Sequence, residues 1–406
     1  MSLPDSKQRA VAPATGPGMT ALLGMLSAFG PMSVDMYLPS LPSMTQTLGA
    51  GPALVQLTLS AFFLGFALGQ LVYGPLSDRY GRRRPLLAGL LLYTVASLVC
   101  AVTPSVWPLI FGRLLEGLGA CAGPVLARAV VRDLYDRDRA ARMLSILFLV
   151  LSAAPLLAPS IGGQILIWVG WRAIFAVLTL FGLVSLLSAG LFLRETLPPE
   201  RRSRMGPLEA LASYANMLRD SRFMGYAGTT ALASGGFFVY LSASPFVFIS
   251  LFGVPPERYG ILFAINVAGL MAGATINSRL VLRLGSDRLL AYGVSGAAAS
   301  GTVLALVAAS PHLSLLGIAA PLFCFVASMS FIGANATAGA LANYPHIAGT
   351  ASALQGMLQW STGALTGALV ALAEDGTAVP MAALIAACGV GSLLVYRKLV
   401  RPGTRR

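Results

Sequence analysis

The sequence predicts an all-α membrane protein with twelve transmembrane helices arranged in two pseudo-symmetric six-helix bundles. Three observations lead to this fold class: the composition, the number of long apolar segments, and a loop pattern that recurs in both halves of the chain. Of the 406 residues, 56% are hydrophobic and 11% are charged, whereas about 25% of residues are charged in ordinary soluble domains. A soluble protein of this length would need far more polar surface, so the composition excludes that class.

Twelve apolar segments are long enough to cross a bilayer as helices. A helix over residues 19–41 would be about 34 Å long, and the hydrocarbon core of a bilayer is roughly 30 Å thick. We expect the first six spans at 19–41, 54–74, 85–103, 106–128, 143–167 and 171–193, and the second six at 223–251, 259–282, 289–309, 313–337, 349–372 and 379–396. The first span is too long for a signal peptide and contains Asp35, so we expect it to be retained.

The longest polar stretch between these spans divides the chain into two halves. The predicted domains are an N-terminal tail at 1–18, a first bundle at 19–193, a linker at 194–222, a second bundle at 223–397 and a C-terminal tail at 398–406. The loops after the second and the eighth spans share a spacing, at Arg79, Gly81, Arg84 and Leu86 and at Arg283, Gly285, Arg288 and Leu290. Because both loops hold the same place in their half, the spacing indicates two parallel repeats.

Basic residues are concentrated in alternate loops. Arginines cluster after the second, fourth and eighth spans and in the linker, and both tails are basic, whereas the other loops contain only Arg172 and Arg258. Cytoplasmic loops of membrane proteins carry such an excess of Lys and Arg. We therefore expect a multi-pass protein of the bacterial inner membrane with both termini and the linker in the cytoplasm. The same rule accounts for the net charge of +13 without a nucleic acid as partner.

The cysteines and histidines do not support a metal site, a cofactor or a disulfide. All four cysteines lie in apolar segments without C-x-x-C spacing, so we expect buried hydrophobic residues. They are Cys100, Cys121, Cys324 and Cys388. The two histidines, His312 and His346, fall near loops and are too few for a transition-metal site. A membrane-embedded transferase would need a His/Asp or His/Cys cluster at the membrane surface, so we do not expect an enzyme.

Acidic residues are rare inside the predicted spans, and the exceptions are therefore informative. Asp35 in the first span and Glu116 in the fourth lie well inside, and among the basic residues Arg113 is equally deep. A charged side chain at such a depth costs at least about 2.5–3.5 kcal/mol, so intramembrane acids usually serve a function. A carboxyl group in a low-dielectric environment is suited to take up and release protons near neutral pH. We therefore expect proton coupling in the first half, at Asp35, Arg113 and Glu116.

The loop after the second span carries the most specific motif, which reads Gly74-Pro75-Leu76-Ser77-Asp78-Arg79-Tyr80-Gly81-Arg82-Arg83-Arg84. It resembles the G-x-L-x-D-R-x-G-R-R signature of the major facilitator superfamily. The resemblance implies the major facilitator fold and a conformational switch at Gly74, Asp78, Arg79, Gly81 and Arg82. Gly81 permits a tight turn, and Asp78 can bond loop arginines or helix N-terminal amides in one conformation and lose them in the other. The alternative is a basic loop that only anchors the protein at the cytoplasmic surface.

The fourth span contains Arg113-Leu114-Leu115-Glu116-Gly117, which resembles the R-x-x-Q-G motif of proton-coupled members of this superfamily. Glu116 stands where glutamine is usual. Because Arg113 and Glu116 are three residues apart, they share a helix face, and one interpretation is an ion pair that neutralises both. In the other interpretation, Arg113 tunes Asp35 and Glu116 offers a second site for a proton.

The fifth span contains Ala154-Pro155-Leu156-Leu157-Ala158-Pro159-Ser160-Ile161-Gly162-Gly163. It looks like the G-x-x-x-G-P-x-x-G-G antiporter motif, with alanines in place of the first two glycines. Small residues four apart allow close helix packing, and each proline removes a hydrogen bond from the helix interior. The resemblance ties Pro155, Pro159, Gly162 and Gly163 to a leak-tight interface between the halves. Kinked packing without any role in antiport is the alternative.

Two further segments narrow the resemblance to the Bcr/CflA subgroup of twelve-span drug:proton antiporters. They are Asp35-Met36-Tyr37-Leu38-Pro39-Ser40-Leu41-Pro42 and Ala348-Gly349-Thr350-Ala351-Ser352-Ala353-Leu354. The subgroup implies export of small hydrophobic drugs such as bicyclomycin, chloramphenicol and sulfonamides, by alternating access and in exchange for protons. A proton-coupled transporter of a metabolite such as an amino acid, sugar or organic acid is the alternative. Since one chain contains both halves, we expect a monomer.

Substrate contacts are expected where aromatic and amide side chains fall inside the spans. The candidates are Tyr37, Phe62, Phe238, Asn266 and Gln355. A mixed apolar wall with a few polar groups would suit amphiphilic compounds. For any one aromatic residue, packing against lipid or another helix is the alternative.

Overall fold

The structure is a computed structural model that describes residues 16–202, 207–311 and 313–400. Within these ranges every regular element is a helix. Residues 1–15 of the predicted N-terminal tail and 401–406 of the C-terminal tail lie outside the described ranges. The same holds for residues 203–206 of the linker and for His312.

The first half contains six spanning segments. The first is built from α1 (Pro17–Ser27), α2 (Phe29–Asp35), a 3-10 turn (Leu38–Ser40) and α3 (Leu41–Thr47). The next five are α4 (Pro52–Tyr80), α5 (Arg83–Val102), α6 (Val106–Leu134), α7 (Arg137–Val169) and α8 (Trp171–Phe192). Most neighbours along the chain are joined by short turns, so the helices alternate in direction.

The linker begins with a 3-10 turn (Pro199–Arg201) and contains α9 (Pro207–Arg219). The second half follows with α10 (Ser221–Pro245), which runs into a π-helical turn (Phe246–Leu251), and with α11 (Pro256–Leu284) and α12 (Ser286–Ala308). It ends with α13 (Leu315–Leu341), a 3-10 turn (Pro345–Ile347), α14 (Ala348–Leu372) and α15 (Val379–Val395), which continues as a π-helical turn (Tyr396–Val400).

Among the described residues, ten helices are long and apolar enough to cross a membrane, and the first segment makes eleven if its bent pair counts as one span. The twelfth, α14, has 25 residues and is therefore long enough. Its apolar run is interrupted by polar side chains at Gln355, Gln359, Thr362 and Thr366. The helix that carries these polar groups packs against α10 in its own half and against α4 of the other half.

The first span is not the single helix that the sequence predicted over 19–41. Its two parts, Pro17–Ser27 and Phe29–Thr47, meet at an angle of 45°. Pro31 lacks an N–H group, so the carbonyl of Ser27 has no donor four residues ahead, and the helix breaks there. Asp35 is the last residue of α2 rather than the middle of a continuous helix, because Pro39 has no N–H group to donate to its carbonyl.

The linker 194–222 is also more ordered than its polar composition indicated, because it contains α9. This helix packs against α10 and α14 of the second half. Tyr214 and Met217 of α9 are buried in that contact region. The helix thus belongs structurally to the second half.

The two halves meet along two helix pairs, α4 with α14 and α7 with α11. The turns after α4, α6 and α11 and the linker all lie at one end of the bundle, which we call the basic end because it holds the arginine clusters. The turns after α3, α5, α7 and α14 lie at the opposite end. Each spanning helix therefore presents one face to its own half, and α4, α7, α11 and α14 also contact the other half.

Three of the four cysteines, Cys100, Cys121 and Cys388, are buried, as expected. Cys324 is exposed, so the expectation of burial was wrong for this residue. It lies on α13, next to Phe323, whose side chain is also exposed. In a membrane protein such a surface contacts lipid, so an apolar segment does not guarantee a buried position.

Candidate functional site

A cavity of about 670 Å³ lies between the two halves. Its walls come from α2 and α7 of the first half and from α10, α11, α13 and α14 of the second. The wall is mostly apolar and aromatic, with Phe148, Phe237, Phe238, Phe263 and Trp360 among its residues. A concave, mainly apolar cavity with few polar groups is the usual form of a small-molecule site.

Asp35 is the one charged residue in the described lining of this cavity. Its side chain is buried, with 5% exposure. Among the described residues it has no ion-pair partner, and no hydrogen bond to its carboxyl group is found there. An unpaired carboxylate is costly to keep charged in an apolar cavity, and a proton on this group would remove that cost.

Polar groups from the second half face the same cavity. Asn266 donates from Nδ2 to the Tyr240 hydroxyl at 3.1 Å. The Tyr240 ring stacks on Phe263, with 5.8 Å between the ring centroids. Asn266, Tyr240 and Asp35 therefore form a small polar group on a mostly apolar wall, contributed by both halves.

Arg113 and Glu116 form an ion pair in the interior of the first half. Nη1 of Arg113 lies 2.8 Å from Oε2 of Glu116, and both side chains are completely buried. Nη2 of Arg113 donates to the carbonyl of Ser33 at 3.1 Å, two residues before Asp35. Arg113 thus contacts the backbone of the segment that carries Asp35, but it forms no ion pair with the Asp35 carboxylate.

Three aromatic rings surround the Arg113 guanidinium. Its central carbon lies 4.4 Å from the ring centroid of Phe62, 4.8 Å from that of Tyr37 and 5.6 Å from that of Phe175. Such cation–π contacts stabilise a desolvated arginine. The Tyr37 hydroxyl forms a hydrogen bond with the Thr58 hydroxyl at 2.7 Å. The contacts of Arg113 and of the Tyr37 ring therefore all lie within the first half.

The structure separates the five residues that the sequence offered as substrate contacts. Phe238 and Asn266 line the central cavity. Tyr37 and Phe62 instead pack around Arg113, and Gln355 is buried and donates to Thr337 at 2.9 Å. In this conformation these three side chains do not lie in the described cavity wall.

Trp360 is a cavity residue that the sequence reasoning did not select. Its ring stacks on Phe66 of the first half, with centroids 4.0 Å apart, and contacts Phe238 at 5.0 Å. It therefore closes one side of the cavity with aromatic groups from both halves. The signal was present in the polar interruption of α14, because polar side chains inside a span are rarely directed at lipid.

The antiporter-like segment of α7 closes the opposite end of the interface between the halves. A methyl group added to Gly163 would lie 2.9 Å from the carbonyl oxygen of Pro256 and 3.1 Å from the Cα atom of Glu257, both on α11. A methyl group on Gly162 would overlap the carbonyl of Met36. The absence of side chains thus lets α7 touch α11 and the segment after Asp35 by backbone.

The two prolines of this segment occupy different surroundings. Pro155 lines the central cavity, whereas Pro159 precedes Ser160, whose backbone touches Gly260 of α11. Both lie inside the continuous helix α7. The segment therefore runs from the cavity at Pro155 to the closed contact at Gly163.

The loop motif builds a charge network at the basic end. Arg82 is an ion-pair partner of both Asp78 and Asp133, with Nε 2.8 Å from the Asp133 carboxylate. Burial alone would lower the pKa of the Arg82 guanidinium, but hydrogen bonds to Asp133 and Asp78 raise it above its ordinary value. Gly81 adopts φ +89°, a conformation that favours glycine.

The remaining motif residues play smaller parts in this conformation. The Arg79 guanidinium lies over the Tyr80 ring, 5.5 Å from its centroid. Gly74 has open space around it and accepts a hydrogen bond from Ser77 through its carbonyl at 2.9 Å. Asp78 and Gly74 both line a second cavity at the basic end, which also contacts α14.

Glu195, which the sequence analysis did not select, fastens this loop to the end of α8. Its carboxylate accepts from the backbone N–H groups of Arg82 at 2.8 Å, Thr196 at 3.0 Å and Leu197 at 3.0 Å. Partial burial raises the pKa of this carboxyl group, but the hydrogen bonds from these N–H groups outweigh it and hold the pKa below its ordinary value. Hydrogen bonds to backbone amides give no sequence signal, which explains the omission.

Comparison with known proteins bears on both the fold and the cavity. The model of the Major Facilitator Superfamily matches residues 22–368. The chain is 38% identical over 378 residues to an uncharacterised transporter of this type from Bacillus subtilis, YdgK, covering 92% of this chain and 94% of that protein. It is 34% identical over 374 residues to the bicyclomycin resistance protein homolog of Haemophilus influenzae, with coverage of 92% and 94%.

A further relative is the chloramphenicol resistance protein of Pseudomonas aeruginosa. It is 33% identical over 365 residues, which cover 89% of this chain and 85% of that protein. Among solved structures, the partially occluded inward-open form of the xylose transporter XylE from E. coli superimposes with a TM-score of 0.72. It covers 94% of this chain and 97% of XylE at 15% identity. The predicted all-helical fold of two six-helix bundles is confirmed by these matches.

Proposed function

The chain belongs to the major facilitator superfamily, and from that membership we propose that it exports small hydrophobic drugs in exchange for protons. The family is one of multi-span membrane transporters rather than enzymes. The proposed cargo is of the bicyclomycin, chloramphenicol or sulfonamide type, as the names of the relatives from Haemophilus influenzae and Pseudomonas aeruginosa support. The exchange proceeds by alternating access of the central cavity to the two sides of the membrane.

One observation carries this proposal: the cavity between the halves is walled by aromatic and aliphatic side chains, and Asp35 is the single ionisable acid in its described lining. Burial of apolar surface binds a hydrophobic drug without the paired charges that a sugar acid or an amino acid needs. The acid supplies one group whose charge state can depend on the cargo. Both requirements of drug:proton exchange are thus met at the same place.

The proposed cycle starts from the closure at the opposite end of the central cavity. In the present conformation the opposite end is closed at Gly163 and Pro256, while the cavity extends toward the basic end between α7 and α11, as far as Ser145 and Ser278. Drug enters from that side and disfavours the proton on Asp35. Rocking of the halves then exposes the cavity at the opposite end, where drug leaves and Asp35 takes up a proton. Drug and proton shift this equilibrium only through their different affinities for the two states.

The buried pair of Arg113 and Glu116 has a supporting role in this cycle. Arg113 holds the Ser33 carbonyl and so fixes the segment that ends in Asp35. We assign the pair to positioning of Asp35, with the direct exchange of the proton at Asp35 itself. The loop network around Asp78 and Arg82 is proposed to stabilise one of the two access states.

We further propose that the protein works as a monomer in the bacterial inner membrane. The arginine-rich basic end would then face the cytoplasm together with both termini, as the excess of basic residues in these loops supports. The proposed domains are the two bundles and the linker named above. Because α9 packs on α10 and α14, the second unit begins with α9.

Susceptibility testing and vesicle transport together examine this function. An efflux-deficient bacterial host that expresses the chain should tolerate higher concentrations of several hydrophobic drugs than the host alone. Inverted vesicles should accumulate the same drugs when a pH gradient is imposed. Uptake of an amino acid or a sugar in place of drug protection would favour the metabolite alternative. Drug transport that ignores both the pH gradient and the membrane potential would reject proton exchange.

A further inference from the structure

A second cavity, of about 580 Å³, lies at the basic end and is separate from the central one. Residues of α4 and α6 of the first half form one side, and residues of α14 and the turn before it form the other. Tyr214 of the linker helix α9 also reaches it. Any group bound here would therefore contact both halves at once.

Two arginines of α6 face this cavity without a carboxylate partner. Arg128 and Arg132 lie four residues apart on one face of the helix and both line the cavity. Neither takes part in an ion pair among the described residues, and Nε of Arg128 donates only to the carbonyl of Pro124 in its own helix, at 3.0 Å. Two like charges at this spacing repel each other, so the site carries an excess of positive charge.

The acidic residues in the same cavity do not neutralise these arginines. The cavity contains Asp78 and Asp133, and both are engaged by Arg82. Both carboxylates of the cavity thus already form ion pairs with Arg82. With three guanidinium groups against two carboxylates, the described lining keeps a net positive charge of one.

The first turn of α14 adds to the positive potential on the other side of the cavity. The residue before it, Ile347, provides no side-chain cap for the free N–H groups of the helix. Those groups and the helix dipole attract anions. Arg132 lies close by, because a Cβ atom added to Gly349 would stand 3.8 Å from its Nη1 atom. The positive end of the helix repels an arginine placed against it, and an anion between the two would relieve that repulsion.

A buried amide also points to a ligand. Gln70 of α4 lines the cavity with 7% exposure, and its side chain has no hydrogen-bond partner among the described residues. Buried amide groups are normally paired. The hydroxyl of Thr350 lines the same cavity and is likewise a hydrogen-bond donor.

We propose that this cavity binds a phosphate-type oxyanion that bridges Arg128 and Arg132 of the first half to the N-terminal turn of α14 in the second. Guanidinium groups and free N–H groups at a helix start are the preferred partners of such oxygens, and Gln70 donates one more hydrogen bond. The anion is either free inorganic phosphate or the phosphate of an anionic lipid headgroup. It is independent of the drug that occupies the central cavity.

Bridging the halves at this place stabilises the arrangement seen in this structure, in which α14 begins beside α6. Phosphate binding should therefore raise the thermal stability of the protein, since a ligand that binds only the folded state stabilises it. Replacement of both arginines by glutamine should weaken binding about ten- to hundredfold or more, as expected when charge-assisted hydrogen bonds are lost. Drug transport is not needed to see either effect.

The test is a melting-temperature titration of the full chain with sodium phosphate in a neutral detergent, against sodium chloride of equal ionic strength. The same measurement is made in nanodiscs of phosphatidylcholine alone and with phosphatidylglycerol added. The variants are Arg128→Gln/Arg132→Gln and Gln70→Leu, and the control is Arg142→Gln, which removes an exposed arginine of α7 outside the cavity.

A saturable rise with phosphate in the parent and in Arg142→Gln, lost in the double arginine variant, identifies free phosphate as the ligand. A rise that occurs only with phosphatidylglycerol and that is lost in the same variant identifies the lipid headgroup. The proposal is overturned if neither anion stabilises the parent beyond chloride, or if the double variant responds as the parent does. Because no drug is present, these outcomes leave the proposed transport function untouched.

Discussion

Arg113 and Glu116 form a buried ion pair, 2.8 Å long, at a position where the same arginine also holds the Ser33 carbonyl. Of the two interpretations that the sequence left open, this geometry favours mutual neutralisation, with Arg113 acting on Asp35 through the backbone. Removal of one partner would leave an uncompensated charge in the interior. That consequence separates a structural pair from a second proton site.

We expect Glu116→Gln to destabilise the protein by about 3–5 kcal/mol, the usual cost of breaking a buried pair. The double variant Arg113→Met/Glu116→Gln should recover part of that loss, because it removes both charges. Thermal unfolding in detergent measures both. If Glu116→Gln is as stable as the parent and yet transports fewer protons per drug, Glu116 is a proton site and not a structural partner.

Asp35→Asn should abolish drug accumulation driven by a pH gradient in inverted vesicles while leaving the fold intact. The amide keeps the shape of the side chain but cannot exchange a proton, and Asp35 has no ion pair to lose. Asp138→Asn, which changes an exposed acid in the first turn of α7, serves as the control and should transport normally. Coupled transport by Asp35→Asn at the parental rate would contradict the assignment.

Two aromatic residues of the central cavity should determine which drugs are carried. We expect Phe238→Ala and Trp360→Ala to weaken drug binding about tenfold or more, since burying one such side chain contributes roughly 1.5–3 kcal/mol. Fluorescence titration and susceptibility profiles report the change. Phe111→Ala, which removes an aromatic ring exposed on the outer face of α6, should leave both unchanged, and an equal loss in all three variants would argue against specific contacts.

Gly163→Ala should disturb closure at the opposite end, because the added methyl group meets the backbone of Pro256 and Glu257. Overpacking of this kind costs about 1–3 kcal/mol, which shifts the halves apart. The expected result is a proton leak through vesicles that contain the variant, followed with a pH-sensitive dye. Gly333→Ala is the matched control, since a methyl group there meets open space. If vesicles with either variant are equally impermeable to protons, close backbone contact between α7 and α11 is not needed for closure.

Glu195 predicts a dependence of stability on pH. Its pKa is held below the ordinary value in the folded protein by backbone N–H donors, so its stabilising effect is present above the unfolded-state pKa of about 4.3. The effect is lost as the pH falls through the folded-state pKa. We therefore expect Glu195→Gln to melt earlier than the parent at pH 7, with the gap narrowing below about pH 4.3. The control is Glu200→Gln in the same linker, and a gap that stays constant with pH would refute this role for Glu195.

The sequence alone predicts the fold class and the depth of Asp35, because long apolar runs and the cost of a buried charge are local properties. Spacing along a helix also places Arg113 and Glu116 on a shared face, which made their pairing one of the two interpretations that the sequence left open. The roles of Tyr37 and Phe62 depend on which way each helix turns within its bundle. That rotation is determined by tertiary packing, so the two rings surround Arg113 where a cavity wall was expected.

The break in the first span could have been predicted from its prolines, which an analysis of hydropathy does not take into account. Pro31 removes one backbone donor, and the proline pair at Pro39 and Pro42 shortens the regular helix further. Hydropathy averages over such breaks, so the apolar run was read as one helix. Trp360 and Glu195 were missed for a related reason, because their partners are distant in sequence and in part belong to the backbone.

The docking of α9 on α10 and α14 has a consequence for how the chain can be divided. A gene split at residues 203–206 would yield two polypeptides, one for each half. The second polypeptide would contain α9 together with α10 and α14, the helices on which α9 packs. Their reassembly in one cell would depend on the contacts between the halves, which are made mainly by α4 with α14 and by α7 with α11. Fragment complementation would thus isolate the strength of the interface that must rock from the contribution of the covalent tether.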